Sequence, residues 1–106
     1  MITLKYHSDP GHGWYSIKTG VLFQYFIINK VQISNYSYIS KSKQTVYLEE
    51  DLDGPAVINY LKANNIEFVI KDCKTSDKPS FIRYLKRFID VVTVNKTSGK
   101  LYYRSI

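Results

Sequence analysis

The stretch TVYLEEDLDGPAVINYLKANNIEFVIK, Thr45 to Lys71, constrains the fold most, because its periodicity changes twice within 27 residues. Val46 and Leu48 alternate with Tyr47 and Glu49, the two-residue period of a half-buried strand. Asp53-Gly54-Pro55 then reads as a helix start, with Asp53 as N-cap and Pro55 in the first turn, where its missing N–H costs nothing. Val57, Tyr60 and Leu61 recur at helical spacing. Asn64-Asn65 ends the helix, since Asn accepts the left-handed backbone of a C-cap. Ile66, Phe68 and Ile70 return to strand alternation. Strand, helix and strand are therefore expected in that order. Glu49, Glu50, Asp51 and Asp53, four of the nine acidic residues, crowd the turn between the first two.

Around this unit the remaining segments follow. Ile2, Leu4 and Tyr6 alternate with Thr3 and Lys5 as a first strand, and His7 to Gly13 carries Pro-Gly turn chemistry. Trp14 to Lys18 returns as the second strand, with Tyr15 and Ile17 on one face and Trp14 and Ser16 on the other. The apolar run Val21 to Ile28 suits a buried strand by composition, but Val21, Leu22, Tyr25, Phe26 and Ile28 also fit a helix opening after Thr19 and ending at Asn29-Lys30, and the helix is the expectation. A second hairpin pairs Asn35–Ile39 with Thr45–Glu49 across SKSKQ, bringing Tyr36, Tyr38 and Tyr47 onto or beside one ribbon. Phe81, Ile82, Leu85, Phe88, Ile89 and Val92 share one side of a helical wheel. Arg83, Lys86, Arg87 and Asp90 share the other, which predicts an amphipathic helix with a basic outer face. VVTV and LYYRSI, joined by Asn95 to Lys100, predict a closing hairpin. The fold class expected is α+β: one small domain over residues 1–106, with a mainly antiparallel sheet in the order ββαββαβ and helices packed on one face. A C-terminal basic helix and hairpin follow, residues from about 88 to 106 forming an extension.

A chain of 106 residues buries roughly 60–70% of its unfolded surface, enough to fold without staples. The single Cys73 excludes an internal disulfide framework and an all-cysteine metal site. The N-terminal residues lack the pattern of a signal peptide and no apolar run reaches membrane-spanning length, so a soluble protein of the cytoplasm is expected, without membrane partners. The net charge of +6 is unevenly spread. Residues 1–70 hold six basic and six acidic side chains, and residues 71–106 hold nine and three. A basic flank beside an acidic turn is the electrostatic outline.

HSDPGHGW near the N-terminus, TVYLEED with a further Asp two positions on, and SFIR after a short polar loop resemble a family of small, uncharacterised proteins encoded by bacteriophages, plasmids and other mobile elements. The resemblance spans His7 to about Arg87. It implies a setting, that of a mobile-element accessory protein acting in the cytoplasm of a host cell, and no mechanism.

Three constellations carry chemistry. His7, Asp9 and His12 share one loop, and imidazole with carboxylate suits a divalent metal; without cysteine or helical His spacing, no metal is the expectation. Glu49, Asp51, Asp53 and Gly54 begin like a calcium loop, but Pro55 and Tyr60 stand where a carbonyl and a bidentate Glu belong. Both segments follow the C-terminal end of a strand and are predicted to share one edge of the sheet, where His7, Asp9, His12, Glu49, Glu50 and Asp51 are the candidate catalytic groups. Finally, Arg83, Lys86, Arg87, Lys96, Lys100 and Arg104 interleave with Tyr84, Tyr102 and Tyr103, a mixture suited to phosphates and bases. Of these, Arg83, Lys86, Arg87, Lys100, Tyr102 and Arg104 are the candidate partner-binding or nucleic-acid-binding residues. The leading expectation is a non-enzymatic protein, needing no cofactor, that binds and inhibits a host factor concerned with defence or nucleic-acid processing. Direct nucleic-acid binding, expected to be weak, is one rival. A small metal-dependent or acid-base enzyme is the other.

Overall fold

Alternation builds the first layer. In the computed structural model, which describes residues 1–94 and 101–103, Ile2 and Leu4 are buried while Thr3 and Lys5 are exposed along β1 (Ile2–Ser8). The chain turns back into β2 (Gly13–Lys18), antiparallel, with Tyr6 opposite Tyr15 and His7 opposite Trp14. Two short helices follow, α1 (Thr19–Gln24) and α2 (Ile27–Lys30). The single helix expected over Val21 to Ile28 is therefore broken. Phe26 adopts a left-handed backbone with φ 58°, and the Tyr60 hydroxyl donates to the Tyr25 carbonyl at 2.9 Å. The break buries Ile27 and Ile28 together. Thr19 does not cap: its hydroxyl donates to the Lys43 carbonyl at 2.8 Å, tying the start of α1 to the next hairpin.

That hairpin is β3 (Tyr38–Ile39) with β4 (Thr45–Glu49), Tyr38 opposite Tyr47. On its other side β4 pairs with β2, Ile17 opposite Val46 and Trp14 opposite Glu49. Helix α3 (Asp53–Ala63) buries Gly54, Val57 and Leu61 on one stripe and ends at Asn65, whose φ of 54° is the left-handed C-terminal residue expected there. A Cβ at Gly54 would stand 2.5 Å from Tyr15 Cδ2 and 3.1 Å from the Glu49 carbonyl, so glycine lets the first turn of α3 lie against β2. The chain then crosses to the far edge as β5 (Phe68–Thr75), parallel to β1. Such a crossover needs a helix-length connection, which α3 supplies.

After β5 the structure departs from the sequence pattern. Phe81–Tyr84 is one 3₁₀ turn, Lys86–Arg87 is a short strand β6 paired with β3, and Phe88–Val91 is a four-residue helix α4. No continuous amphipathic helix runs from Phe81 to Val92. The open edge of β3 takes the backbone of Lys86 and Arg87, Leu85 is extended with ψ 165°, and the apolar residues expected on one stripe serve two faces of the sheet instead. Strands β7 (Val92–Val94) and β8 (Leu101–Tyr103) form the closing hairpin, Val92 opposite Tyr103. Phe88, Val91 and Val92 lie in the main core.

The six-stranded sheet has the order β5-β1-β2-β4-β3-β6, antiparallel except for β5 against β1, and the fold is α+β. One face carries the main core, where Leu4, Ile17, Val46 and Leu48 meet Leu22, Ile27, Val57 and Leu61 of the helices. The opposite face carries a smaller cluster, Trp14 and Tyr47 covered by Ile82. Among the described residues no helix is long and apolar enough to cross a membrane.

Candidate functional site

The turn between β1 and β2 is organised by one carboxylate. Asp9 Oδ1 accepts the backbone N–H of Gly11 at 3.1 Å and of His12 at 2.9 Å, closing the loop on itself. The same side chain accepts the Ser80 N–H at 2.8 Å and grips Arg83 through Nε at 2.5 Å and Nη2 at 2.7 Å. The fork of the guanidinium matches the two carboxylate oxygens. This pairing holds the Asp9 carboxyl well below the usual carboxylate range, first through Arg83 and then through the backbone donors, while burial opposes them. Asp9 also raises the affinity of the Arg83 guanidinium for its proton. Ser80 caps the 3₁₀ turn, its hydroxyl accepting from the Ile82 N–H at 3.3 Å. The loop and the SFIR segment are thus one unit, latched across the sheet, with fully buried Ile82 beneath.

The acidic turn divides its four carboxylates. Glu50 leaves the cluster to accept a short hydrogen bond from the Tyr6 hydroxyl, which pushes that phenol up to about 12. Asp53, expected as the N-cap, is the first residue of α3 and does not cap it. It is 2% exposed and accepts from the Ser34 N–H at 3.1 Å, the Ser34 hydroxyl at 2.7 Å and the Ser37 hydroxyl. Ser37 in turn accepts the Glu49 N–H at 3.0 Å. Asp53 therefore docks the Ser34–Ser37 loop onto β4, which satisfies its buried oxygens. Glu49 and Asp51 remain at the surface, the Glu49 carboxylate accepting the Asp51 N–H.

The two segments do share one edge of the sheet, as their strand positions predict: the Glu50 N–H donates to the Gly13 carbonyl at 3.1 Å. Beside this junction lies a cleft of about 590 Å³. Trp14, Tyr36, Tyr38 and Leu52 supply its apolar lining, and His12, Glu49, Asp51 and Arg83 its polar one. Trp14 meets Tyr38 edge-on at 6.5 Å between ring centroids and His12 at 6.0 Å. Tyr36 and Leu52 are exposed there.

The sequence candidates are dispersed by this geometry. His7 is not in the cleft: it sits on the sheet face over Tyr47, with Nε2 3.0 Å from the Ser16 hydroxyl, and burial followed by the Lys5 charge pushes its pKa down. The Ser16 hydroxyl lies between that imidazole nitrogen and the Lys5 carbonyl, which it reaches at 3.4 Å. His7, Asp9 and His12 do not converge, and among the described residues no group of three His, Cys, Asp or Glu side chains could hold a metal ion. His12, Glu49 and Asp51 all line the cleft, while Glu50 is engaged with Tyr6. Arg83 is spent on Asp9. Lys86 and Arg87 are exposed on β6. Tyr102 lies in β8 opposite Thr93. Lys96, Lys100 and Arg104 lie outside the described residues. Sequence reasoning passed over Trp14 and Leu52 as site residues, and the Ser34 and Ser37 partners of Asp53. A cross-strand pairing of Tyr38 with Tyr47 was the one available hint of an aromatic end to the sheet.

Fold and site together define a class, a small α+β domain whose sheet ends in an aromatic cleft edged by two carboxylates. No family model, no curated protein and no solved structure matches the chain.

Proposed function

We propose that this protein is a binding module that docks a partner protein at the aromatic cleft and acts by covering the partner's working surface, not by catalysis. One observation carries the reading: side chains that a solitary domain would bury, Tyr36 at 61% and Leu52 at 51% exposure, flank a cleft already preformed by Trp14 and Tyr38. Exposed aromatic and aliphatic groups beside a preformed pocket are the anatomy of a binding hot spot. The HSDPGHGW, TVYLEED and SFIR motifs support the setting: an accessory protein of a phage or other mobile element, working in the host cytoplasm on a host defence or nucleic-acid-processing factor. The direct nucleic-acid reading loses its central cation, because Arg83 is committed to Asp9.

The test is affinity capture by the tagged chain from a host extract treated with nuclease. A protein retained by the wild type, lost with Tyr36→Ala plus Leu52→Ala and kept with Lys86→Gln plus Arg87→Gln is the expected result. Retention that disappears with nuclease, or that depends on Lys86 and Arg87 and not on the cleft, overturns the reading.

A further inference from the structure

The division of charge at the end of the sheet says what the cleft selects. Four carboxylates lie within five positions, yet Glu50 is turned away to Tyr6 and Asp53 is buried against Ser34 and Ser37, which leaves Glu49 and Asp51 facing the cleft. Among the described residues lining it, Arg83 is the one permanent cation, and its two-point pairing with Asp9 cancels that charge locally. The cleft is thus negative in a chain whose net charge is +6. Exposed Tyr36 and half-buried Tyr38 line it in front of buried Trp14, and the electron-rich faces of such rings attract cations.

We infer that the cleft receives the cationic side chain of an arginine or lysine carried on an exposed segment of the partner protein. The inference rests on the docking reading and names the chemistry that the site recognises. Charge complementarity selects this occupant: a phosphate or an acidic segment would meet two carboxylates, whereas a guanidinium or ammonium meets carboxylates and ring faces together. A volume of about 590 Å³ admits one long side chain with its flanking backbone.

Trp14 is the sole tryptophan and lies against the cleft, so its emission senses occupancy there. The full chain is titrated with acetyl-Gly-Arg-Gly-amide and with acetyl-Gly-Gln-Gly-amide at low ionic strength. A saturable change with the arginine peptide only, diminished as salt approaches about 0.15 M, is expected. Glu49→Gln with Asp51→Asn should weaken it by about tenfold, the loss of two exposed ion pairs near the upper end of their usual strength. Gln at position 49 still offers an oxygen to the Asp51 N–H; should the double variant unfold, exposed Asp51→Asn alone should weaken binding by about threefold. Lys86→Gln with Arg87→Gln should leave the response unaltered. Equal binding of the glutamine peptide, binding indifferent to the carboxylate substitutions, or no saturable response to the arginine peptide each overturns the inference. All three leave the docking reading to the capture experiment, which fails if partner retention disappears with nuclease or ignores Tyr36 and Leu52.

Discussion

At the scale of single residues, Asp9 and Phe26 show opposite uses of local chemistry. Asp9 joins the β1–β2 turn to a segment more than 70 positions away, accepting from Gly11, His12, Ser80 and Arg83. Because its pKa is depressed in the folded protein, the unfolded chain binds the proton more readily. The stabilisation is therefore complete above the ordinary carboxylate value of about 4 and is lost as pH falls below it towards the depressed folded value. Asp9→Asn should cost about 1–3 kcal/mol at neutral pH, through the lost charge opposite Arg83 and weakened acceptors for the partly buried N–H groups. It should also flatten the acid limb of stability measured by urea unfolding between pH 6 and 2; an unchanged acid limb would remove Asp9 from this role. Phe26, by contrast, holds a left-handed backbone while 67% exposed, so its side chain returns little for the strain. Phe26→Gly should raise stability by roughly 0.5–1 kcal/mol, read as a higher melting temperature, because glycine adopts that conformation without a Cβ penalty.

At the scale of elements, the sheet end is built by close approach. Helix α3 begins against β2 only because Gly54 has no Cβ to meet Tyr15 and the Glu49 carbonyl. Gly54→Ala should destabilise by about 1–3 kcal/mol through overpacking, even though alanine is the better helix former, and the urea midpoint should fall. Were the midpoint to rise with helix propensity, the contact would not be governing the position of α3. The segment from Ser80 to Val91 teaches the complementary lesson. Its apolar spacing suits a helix, yet Asp9 captures the Ser80 N–H and Arg83 at one end and β3 captures the backbone of Lys86 and Arg87 at the other. Ile82 then packs on Trp14 and Tyr47 while Phe88 enters the main core, so one stripe of hydrophobic residues is divided between two faces. Periodicity alone cannot register that division.

At the scale of the molecule, the uneven charge predicts behaviour towards nucleic acid. With Arg83 paired to Asp9, Lys86 and Arg87 are the exposed cations among the described residues of the basic run. Binding of the non-specific class is expected, at roughly 10⁻⁴ to 10⁻⁶ M in physiological salt. In fluorescence polarisation, Lys86→Gln with Arg87→Gln should lower the slope of log K against log salt by up to about 0.9 per residue on duplex DNA; sub-micromolar affinity in physiological salt would contradict this. The strand β1, the β3–β4 hairpin, helix α3 with its Asn65 terminus and the adjacency of the two loops at one edge were all legible in the chain, because each follows from side-chain period or turn chemistry within a few residues. The partners of Asp9, the withdrawal of Asp53 from capping into the Ser34–Ser37 network, the break at Phe26 and the aromatic cleft were decided only by tertiary structure. Each depends on groups brought together from distant positions, where a buried polar atom takes whichever partner removes its desolvation cost and an apolar side chain takes whichever face has room.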